Sequence, residues 1–298
     1  MLVVRFLSRL IVGISGALFS LAPHAAEAPL NLCTGGSEGA YHEIGRAVAE
    51  HANPRYLSVN VVETSGSMDN MQRMARKECG SAIVQNDAYL VYQSRHKDRP
   101  VEVTRNRFLF AEFLHLVCRR DANVSSTGDL VANPGRHEVL VGAEGSGSAV
   151  TWHAFTVLDA RYGNLKTSKV GGEDALSRVL NGDAQCLFYV SALGSQFAEN
   201  VNSRGKDLRL VPIADDAFRS AKFDSETLYE MREFPKGVYA NLDAGMGGQS
   251  VETLSVGATL VIDRHWADRY PNGPAALLGA VTGATPTIDQ RATAGMIK

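Results

Sequence analysis

The sequence predicts an α/β fold of two lobes, each built on a mainly parallel sheet flanked by helices. Short apolar runs of strand length alternate with segments in which apolar residues recur at helical spacing, a pattern typical of parallel sheets covered on both faces. The order strand, Gly/Ser loop and helix occurs twice, about 110 residues apart, and therefore indicates two similar lobes. The 298 residues, 45% of them hydrophobic, are sufficient for the cores of such lobes.

In the first half of the chain, three predicted strands each lead into a loop rich in Gly, Ser or other small polar residues. These strands cover residues 30–34, 59–62 and 82–85. Apolar residues at helical spacing predict helices over 41–51 and 68–75, and Ser67 is placed to cap the second helix.

The second half repeats this order. The predicted strands are 139–142, a short strand ending at 170, and 186–190. Helices are predicted over 149–160 and 174–180, and Asn181-Gly182 is a typical C-terminal signal for the second helix.

The predicted domain limits follow from changes in composition. An apolar run gives way to charged and small polar residues near 119–126, and the return crossing is predicted near 234–241. We expect four segments in chain order. They are a signal peptide at 1–26, the first part of lobe 1 at 27–119, lobe 2 at 120–236, and a return to lobe 1 with C-terminal helices at 237–298.

The N-terminal segment has the features of a secretory signal. Arg5 and Arg9 form a positive region, residues 10–21 are apolar, and small residues follow. The apolar stretch is shorter than the ~20 residues that a membrane span requires. We therefore expect an exported soluble protein, and an uncleaved membrane anchor is the alternative.

Composition argues against several classes of function. Thirty Lys and Arg face 32 Asp and Glu, a net charge of −2, so no excess of one sign favours nucleic-acid binding. The chain has no phosphate-binding G-x-x-x-x-G-K-[ST], no G-x-G-x-x-G and no H-E-x-x-H motif. We expect no cofactor and no metal.

The cysteines, His115 and the methionines of the second predicted helix are interpreted as structural residues. Four widely spaced cysteines permit three disulfide pairings in an exported protein, and buried free thiols remain equally compatible with the sequence. His115 lies in an apolar run and is interpreted as a core or hinge residue, and the methionines of the second helix are interpreted as core. The residues concerned are Cys33, Cys79, Cys118, Cys186, Met68, Met71 and Met74.

The Gly/Ser loops are the candidate functional feature. A loop between a strand and a helix leaves backbone N–H groups free at the helix N-terminus, where the helix dipole is positive, and so forms an anion site. Ligands of open α/β sheets bind beyond the carboxyl ends of the strands. Two facing lobes would direct such donors at one small ligand, whereas ordinary turns and caps are the alternative.

A hydrolase is a second alternative. Residues 35–39 match G-x-S-x-G, the motif that presents the nucleophilic serine of α/β hydrolases, with Ser37 as the nucleophile. Asp263 and His265 are candidate partners downstream. Too few strands precede the motif for that fold, so we expect Ser37 to be a loop residue.

Taken in order, the loop motifs resemble those of the TAXI family of TRAP-transporter solute-binding proteins. A strand leads into Thr-Gly-Gly-x-x-Gly-x-Tyr and a helix. Ser-Gly-Ser-x-x-Asn, Gln-x-Asp, Gly-x-x-Gly-Ser-Gly and a Phe-Tyr-Val strand follow in that order. The matching residues are Thr34 to Gly36, Gly39, Tyr41, Ser65 to Ser67, Asn70, Gln85, Asp87, Gly142, Gly145 to Gly147 and Phe188 to Val190. The runs 110–117 and 235–239 also resemble the crossings between lobes in this family.

The resemblance implies a type II-like periplasmic binding protein with its ligand cleft between the lobes. It implies a non-enzymatic, monomeric receptor in the periplasm that passes a small organic anion, such as glutamate or 2-oxoglutarate, to the membrane permease of a TRAP transporter. A periplasmic sensor subunit with a similar ligand site is the alternative. Ser148 stands where the family usually has Thr, and Glu144 would oppose an anion if it pointed inward.

The candidate ligand-binding residues follow from the loops and the resemblance together. Backbone donors and hydroxyls are expected to hold carboxylate oxygens, a tyrosine to form an aromatic wall, and amides to supply mixed polarity. Asp87 could meet an amino group, although a capping or hinge role is favoured. The full set is Thr34, Gly35, Gly36, Tyr41, Ser65, Ser67, Asn70, Gln85, Asp87, Ser146, Gly147, Ser148 and Tyr189.

Overall fold

The computed structural model describes residues 28–37, 39–223, 226–242 and 250–293. The signal peptide predicted at 1–26 therefore lies outside the described residues. Across these four ranges, no helix is both long and apolar enough to cross a membrane.

The first part of the chain forms three strand–helix units. Their bounds are β1 Ala28–Cys33, α1 Ala40–His51, β2 Leu57–Val62, α2 Ser67–Ala75, β3 Ser81–Gln85 and α3 Asn86–Arg95. The three strands and the first two helices confirm the sequence prediction. Helix α3 was not predicted, and it places Asp87 in its first turn.

The middle of the chain begins with a long strand and continues with alternating short elements. They are β4 Val103–Arg119, α4 Thr127–Ala132, β5 Glu138–Leu140, α5 Gly147–Leu158, β6 Lys166–Ser168, α6 Gly172–Asn181, β7 Cys186–Ser191, α7 Gln196–Ser203, β8 Leu208–Leu210, α8 Asp216–Arg219, β9 Lys222–Phe223, β10 Glu226–Thr227 and β11 Tyr229–Phe234. Short 3₁₀ helices cover Arg120–Ala122, Ala160–Asn164 and Gly205–Asp207. Helix α6 ends at Asn181, and its C-cap Gly182 has a φ of 88°, which confirms the predicted C-terminal signal.

The last part returns through a second long strand to three helices. They are β12 Val251–Asp263, α9 Arg264–Arg269, α10 Gly273–Gly283 and α11 Thr285–Thr293. Helices α10 and α11 pack against α1, so the end of the chain covers the first strand–helix units.

One mixed, curled sheet runs through the molecule in the order β2-β1-β3-β12-β4-β7-β5-β6. Within it, β2, β1 and β3 are parallel, and so are β7, β5 and β6. Between these two groups, β12 and β4 run antiparallel to each other and to their outer neighbours. The α/β fold predicted from the sequence, with two mainly parallel groups of strands flanked by helices, is confirmed.

The two long strands together connect the groups, since β12 pairs with β3 of the first and β4 pairs with β7 of the second. β4 pairs with β12 up to Phe113 and then with β7 from Phe113 to Cys118. β12 pairs with β11 up to Val256 and with β3 from Ala258 onward. The predicted domain limits remain a prediction, and the first of them coincides with Arg119, the last residue of β4.

Four buried clusters form the core, two on each group of strands. In the first group, Ile44 and Val48 of α1 pack on Leu32 of β1. The methionines of α2 pack on β3 and α3, and the interpretation of these side chains as core is confirmed. This cluster includes Met68, Met71, Met74, Val84 and Val91.

All four cysteines are paired, which excludes buried free thiols. Cys33 at the end of β1 is joined to Cys79 before β3, and Cys118 of β4 is joined to Cys186 of β7. The first disulfide lies within the first group of strands. The second links a long crossing strand to the second group.

Removal of the second disulfide is expected to destabilise the protein. It closes a loop of 68 residues, so the Cys118→Ala/Cys186→Ala variant should lose roughly 2–4 kcal/mol of unfolding free energy, because the unfolded chain gains freedom. Urea denaturation measures this loss, and peptide mapping by mass spectrometry checks the connectivity. Peptides joined through Cys33 and Cys118 would contradict the structure.

Candidate functional site

The Gly/Ser loops of the first group of strands gather at the carboxyl ends of β1, β2 and β3, where Asn70 holds them together. The Asn70 amide nitrogen donates to Thr34 O at 2.6 Å and to Ile83 O at 2.8 Å. Its oxygen accepts from Thr64 Oγ1 at 2.7 Å. Asn70 is fully buried, so its side chain fixes the loops after β1 and β2 against the strand β3.

The predicted capping role of Ser67 is wrong. Gly66 is the N-cap of α2, with a φ of 121° that side-chain-bearing residues rarely adopt, and Ser67 is the first helical residue. This turn carries the Ser67 hydroxyl back onto the end of β3, where its oxygen accepts from Gln85 N at 3.1 Å.

In the second group, two glycines with positive φ shape the loop before α5. Gly142 has a φ of 92° and Gly145 a φ of 80°. Ser146 then caps α5 by accepting from Ala149 N at 3.3 Å. Ser148, two residues further on, accepts from Val190 N of β7 at 3.0 Å.

The loops of the two groups face each other and touch. A Cβ on Gly66 would lie 3.6 Å from Gly145 O and 3.8 Å from Gly147 N, and one on Gly147 would collide with Gln85 Oε1. The N-termini of α2 and α5 therefore meet, and at Gly147 only a residue without a side chain permits this approach. Ser65, Ser67, Gln85, Ser146, Gly147 and Ser148 of the predicted set come together here.

Two carboxyl groups lie beside this contact. Asp87 Oδ2 accepts from Thr151 Oγ1 of α5 at 2.7 Å and from Tyr229 OH of β11 at 2.9 Å, which joins α3 to the second group. Glu112 Oε2 of β4 accepts from Tyr41 OH at 2.6 Å.

Burial raises the pKa of Asp87 to about 6, although the hydroxyl donors from Thr151 and Tyr229 lower it in part. Burial also raises the pKa of Glu112 to about 7, and the negative charge of Asp87 adds to this shift. The pKa of Tyr41 lies well above its ordinary value because of burial and the neighbouring Glu112. The site is therefore acidic at one end, next to the donor-rich helix N-termini.

The two tyrosines predicted as ligand contacts occupy different surroundings. Tyr41 contacts the acidic end, as above, whereas Tyr189 packs in an apolar cluster with its ring stacked on His115 at 4.3 Å. His115 is fully buried, 3.1 Å from Tyr239 OH through Nε2, and burial lowers its pKa to about 3. The interpretation of His115 as a core residue is confirmed.

Two further expectations concern residues near the loops. Glu144, considered as an opponent of an anionic ligand, forms an ion pair with Lys169. Thr34 is buried and donates through Oγ1 to Val62 O at 2.9 Å, so its hydroxyl is used within the loops. Gly35 is buried beside Tyr41, and Gly36 is exposed.

The hydrolase constellation is not assembled. Ser37 follows the carboxyl end of β1. Asp263, which accepts from Trp266 N at 2.9 Å, lies at the end of β12, and this end of β12 pairs with Ser81, the first residue of β3. Because β1 and β3 are parallel, Ser37 and Asp263 lie at opposite edges of the sheet, separated by roughly 13 Å or more along the strand direction. Asp263 therefore does not meet Ser37, in agreement with the expectation that Ser37 is a loop residue.

Sequence reasoning missed three residues of the site. They are Glu112, Thr151 and Tyr229. Glu112 is a lone acidic residue in an apolar run, a signal that could have marked it, whereas nothing in the sequence pairs the other two with Asp87. In the part of the chain that the structure describes, no cluster of three or more His, Cys, Asp or Glu is placed to hold a metal.

The glycine requirement of the second loop can be tested. A Cβ at Gly142 would lie 2.7 Å from Ser146 Oγ and from Ser148 Cβ, in a backbone region with positive φ. Gly142→Ala should therefore lower the unfolding free energy by about 1–3 kcal/mol in urea denaturation. Gly135→Ala is the matched control, since nothing lies within 4 Å of its Cβ position. Equal losses in the two variants would contradict this geometry.

The raised pKa of Glu112 predicts a dependence of stability on pH. The folded state holds this proton more tightly than the unfolded chain does, so the stabilisation is complete below about pH 4 and is lost as the pH rises through about 7. Glu112→Gln cannot ionise but still accepts from Tyr41, so between pH 4.5 and 7.5 it should lose less unfolding free energy than the unmodified protein, by on the order of 1–2 kcal/mol.

Urea denaturation at several pH values measures this difference. Glu50→Gln, on the exposed face of α1, is the control and should follow the unmodified protein. Parallel stability profiles for Glu112→Gln and the unmodified protein would show that Glu112 is not the group responsible.

Comparison with known proteins identifies the fold and the family. A putative sulfonate ABC transporter protein, the periplasmic sulfonate-binding protein SsuA from Methylobacillus flagellatus KT, aligns with a TM-score of 0.51 at 12% identity, covering 87% of this chain and 69% of that chain. A protein from Bordetella bronchiseptica RB50 aligns with a TM-score of 0.52 at 14% identity, covering 86% and 70%. At these identities the similarity shows the fold alone, that of periplasmic binding proteins. Residues 32–268 match the NMT1-like family, and this chain is therefore a member of the NMT1-like family.

Proposed function

We propose that this protein is a periplasmic solute-binding receptor that captures a small organic anion and delivers it to a TRAP-type secondary transporter. One observation carries the proposal: the N-termini of α2 and α5, from opposite groups of strands, meet so closely that a Cβ placed on Gly66 would lie 3.6 Å from Gly145 O and 3.8 Å from Gly147 N. Helix N-termini present free N–H groups and a positive dipole end, which together bind carboxylates.

Serine hydroxyls complete this donor set. Ser67 Oγ accepts from Gln85 N, and Ser148 Oγ accepts from Val190 N. A hydroxyl that accepts one hydrogen bond still has its own proton to donate. Ser67 and Ser148 are thus oriented by the protein as acceptors and can donate to a carboxylate oxygen, one from each side.

Closure of the two groups of strands around the ligand is the second part of the proposal. A ligand favours a closed state only through contacts that it gains in that state. Asp87, Thr151 and Tyr229 already form contacts across the groups. A carboxylate held by both α2 and α5 would add to them and draw the two sides together.

The partner is inferred from the ordered loop motifs, which resemble those of the TAXI family. That resemblance supports delivery to a TRAP permease and a receptor without enzymatic activity. Location in the periplasm agrees with the secretory features of residues 1–26. A sensor subunit would bind a ligand at a similar site, and co-purification separates the roles: a multi-span permease supports transport, whereas a sensor kinase contradicts it.

Ligand binding is tested by thermal shift and calorimetry on the processed protein, refolded to remove any retained ligand. We expect stabilisation by one or more C4–C6 carboxylates. Ser67→Ala should weaken binding roughly 10- to 100-fold, because it removes one hydrogen bond to a charged group. Ser203→Ala, at the exposed end of α7, is the control and should bind normally. The absence of stabilisation by any carboxylate would contradict the proposal.

A further inference from the structure

Two buried acceptor oxygens in the candidate site receive no hydrogen bond from the residues that the structure describes. They are Gln85 Oε1 and Asp87 Oδ1. The side chains that carry them are almost entirely enclosed, with Gln85 2% exposed and Asp87 0% exposed. Buried polar atoms in folded proteins nearly always have a partner, so two such atoms in one place point to a missing donor.

The side chains of Gln85 and Asp87 contact neighbouring positions on one face of α5. Gln85 is the N-cap of α3, and its amide lies against Gly147, whereas Asp87 binds Thr151. Gly147 and Thr151 are four residues apart on α5, so they share a face and are separated by about 6 Å along the helix. The side chains of Gln85 and Asp87 therefore contact α5 about one helical turn apart, at the contact between the two groups of strands.

The surroundings supply no cation for these oxygens. Asp87 receives hydroxyl donors from Thr151 and Tyr229, both on its other oxygen, and Glu112 receives one from Tyr41. Among the hydrogen bonds and ion pairs between described residues, no lysine or arginine contacts Asp87 or Glu112. The chemistry missing from this position is thus a hydrogen-bond donor, with or without a positive charge.

The position of the missing donor relative to the anion site defines the ligand. Gln85 touches both halves of that site, because its N–H donates to Ser67 at the start of α2 and its amide oxygen lies against Gly147 at the start of α5. A donor that satisfies Gln85 Oε1 would therefore lie next to a carboxylate held at the two helix N-termini. This is the arrangement of a carboxylate and the substituent on its adjacent carbon.

We propose that the ligand carries a hydrogen-bond donor, an ammonium or a hydroxyl, on the carbon next to its carboxylate, and that 2-oxo acids are selected against. This inference rests on the proposed function. A 2-oxo acid presents a carbonyl oxygen to two acceptor oxygens, leaves both unpaired and adds repulsion, whereas a 2-amino or 2-hydroxy acid supplies the donor that closure requires.

Calorimetry with matched ligands tests the proposal. On the C5 skeleton the ligands are glutamate, 2-hydroxyglutarate and 2-oxoglutarate, and on the C4 skeleton they are aspartate, malate and oxaloacetate. Within the skeleton that binds more tightly, we expect the amino or hydroxy acid to bind at least 10-fold more tightly than the oxo acid. An oxo acid that binds as tightly as its partners would overturn this inference and leave the proposed function intact. If no acid of either skeleton binds the refolded protein, this inference is overturned, and the wider carboxylate screen described above decides the proposed function separately.

A variant of Asp87 separates specificity from stability. Asp87→Asn keeps an oxygen for Thr151 and Tyr229 and places an amide N–H₂ at the unpaired position, where it can donate to a carbonyl. The ratio of amino-acid or hydroxy-acid affinity to oxo-acid affinity should then fall at least 10-fold. Asp98→Asn, at an exposed position, is the control. An unchanged ratio in Asp87→Asn would overturn the proposal, because a purely structural role of Asp87 would weaken all ligands alike.

Discussion

The antiparallel pairing of β4 with β12 is the constraint on which the rest of the structure depends. These strands, 17 and 13 residues long, lie between the two parallel groups and hydrogen-bond to both. The carboxyl ends of β1–β3 and of β5 and β7 face one another as a result, because each group is attached to the same central pair. The meeting of α2 with α5, the contact of Gln85 with Gly147 and the hydrogen bonds to Asp87 all follow from this arrangement. A parallel sheet of one group alone would have the helix N-termini but nothing opposite them.

Much of the fold could be predicted because the short elements carry strong local signals. β1 to β3, α1 and α2 have the expected spacing and are bounded by Gly, Ser or Asn. Helix α3 was missed since its buried residues, Ala88, Val91 and Tyr92 among them, do not form a clear apolar stripe. The long strands were missed for a different reason. Outer parts of β4 are exposed, with Phe108 61% exposed, so its sequence stood out only as an apolar run similar to a crossing between lobes. Pairing between residues as far apart as Val103 and Asp263 leaves no local pattern.

The sequence indicated which loops meet but not how their side chains are used. Asn70 and Thr34 were expected to contact a ligand, and in the structure their polar groups bind neighbouring loops. The acidic end of the site depends on Glu112, which is distant in sequence from the loops and is brought to Tyr41 only by the central strands. Its carboxylate would repel an anion. The donor-rich helix N-termini and the acidic end therefore favour opposite ends of one ligand.

The central claim is that a ligand binds between the two groups of strands and contacts both. Hydrogen exchange measured by mass spectrometry, with and without the acid that binds most tightly, tests it directly. The account predicts that the ligand slows exchange together in three regions, at the starts of α2, α3 and α5, which lie in opposite groups. Slower exchange confined to one group, with the other unchanged, would contradict it.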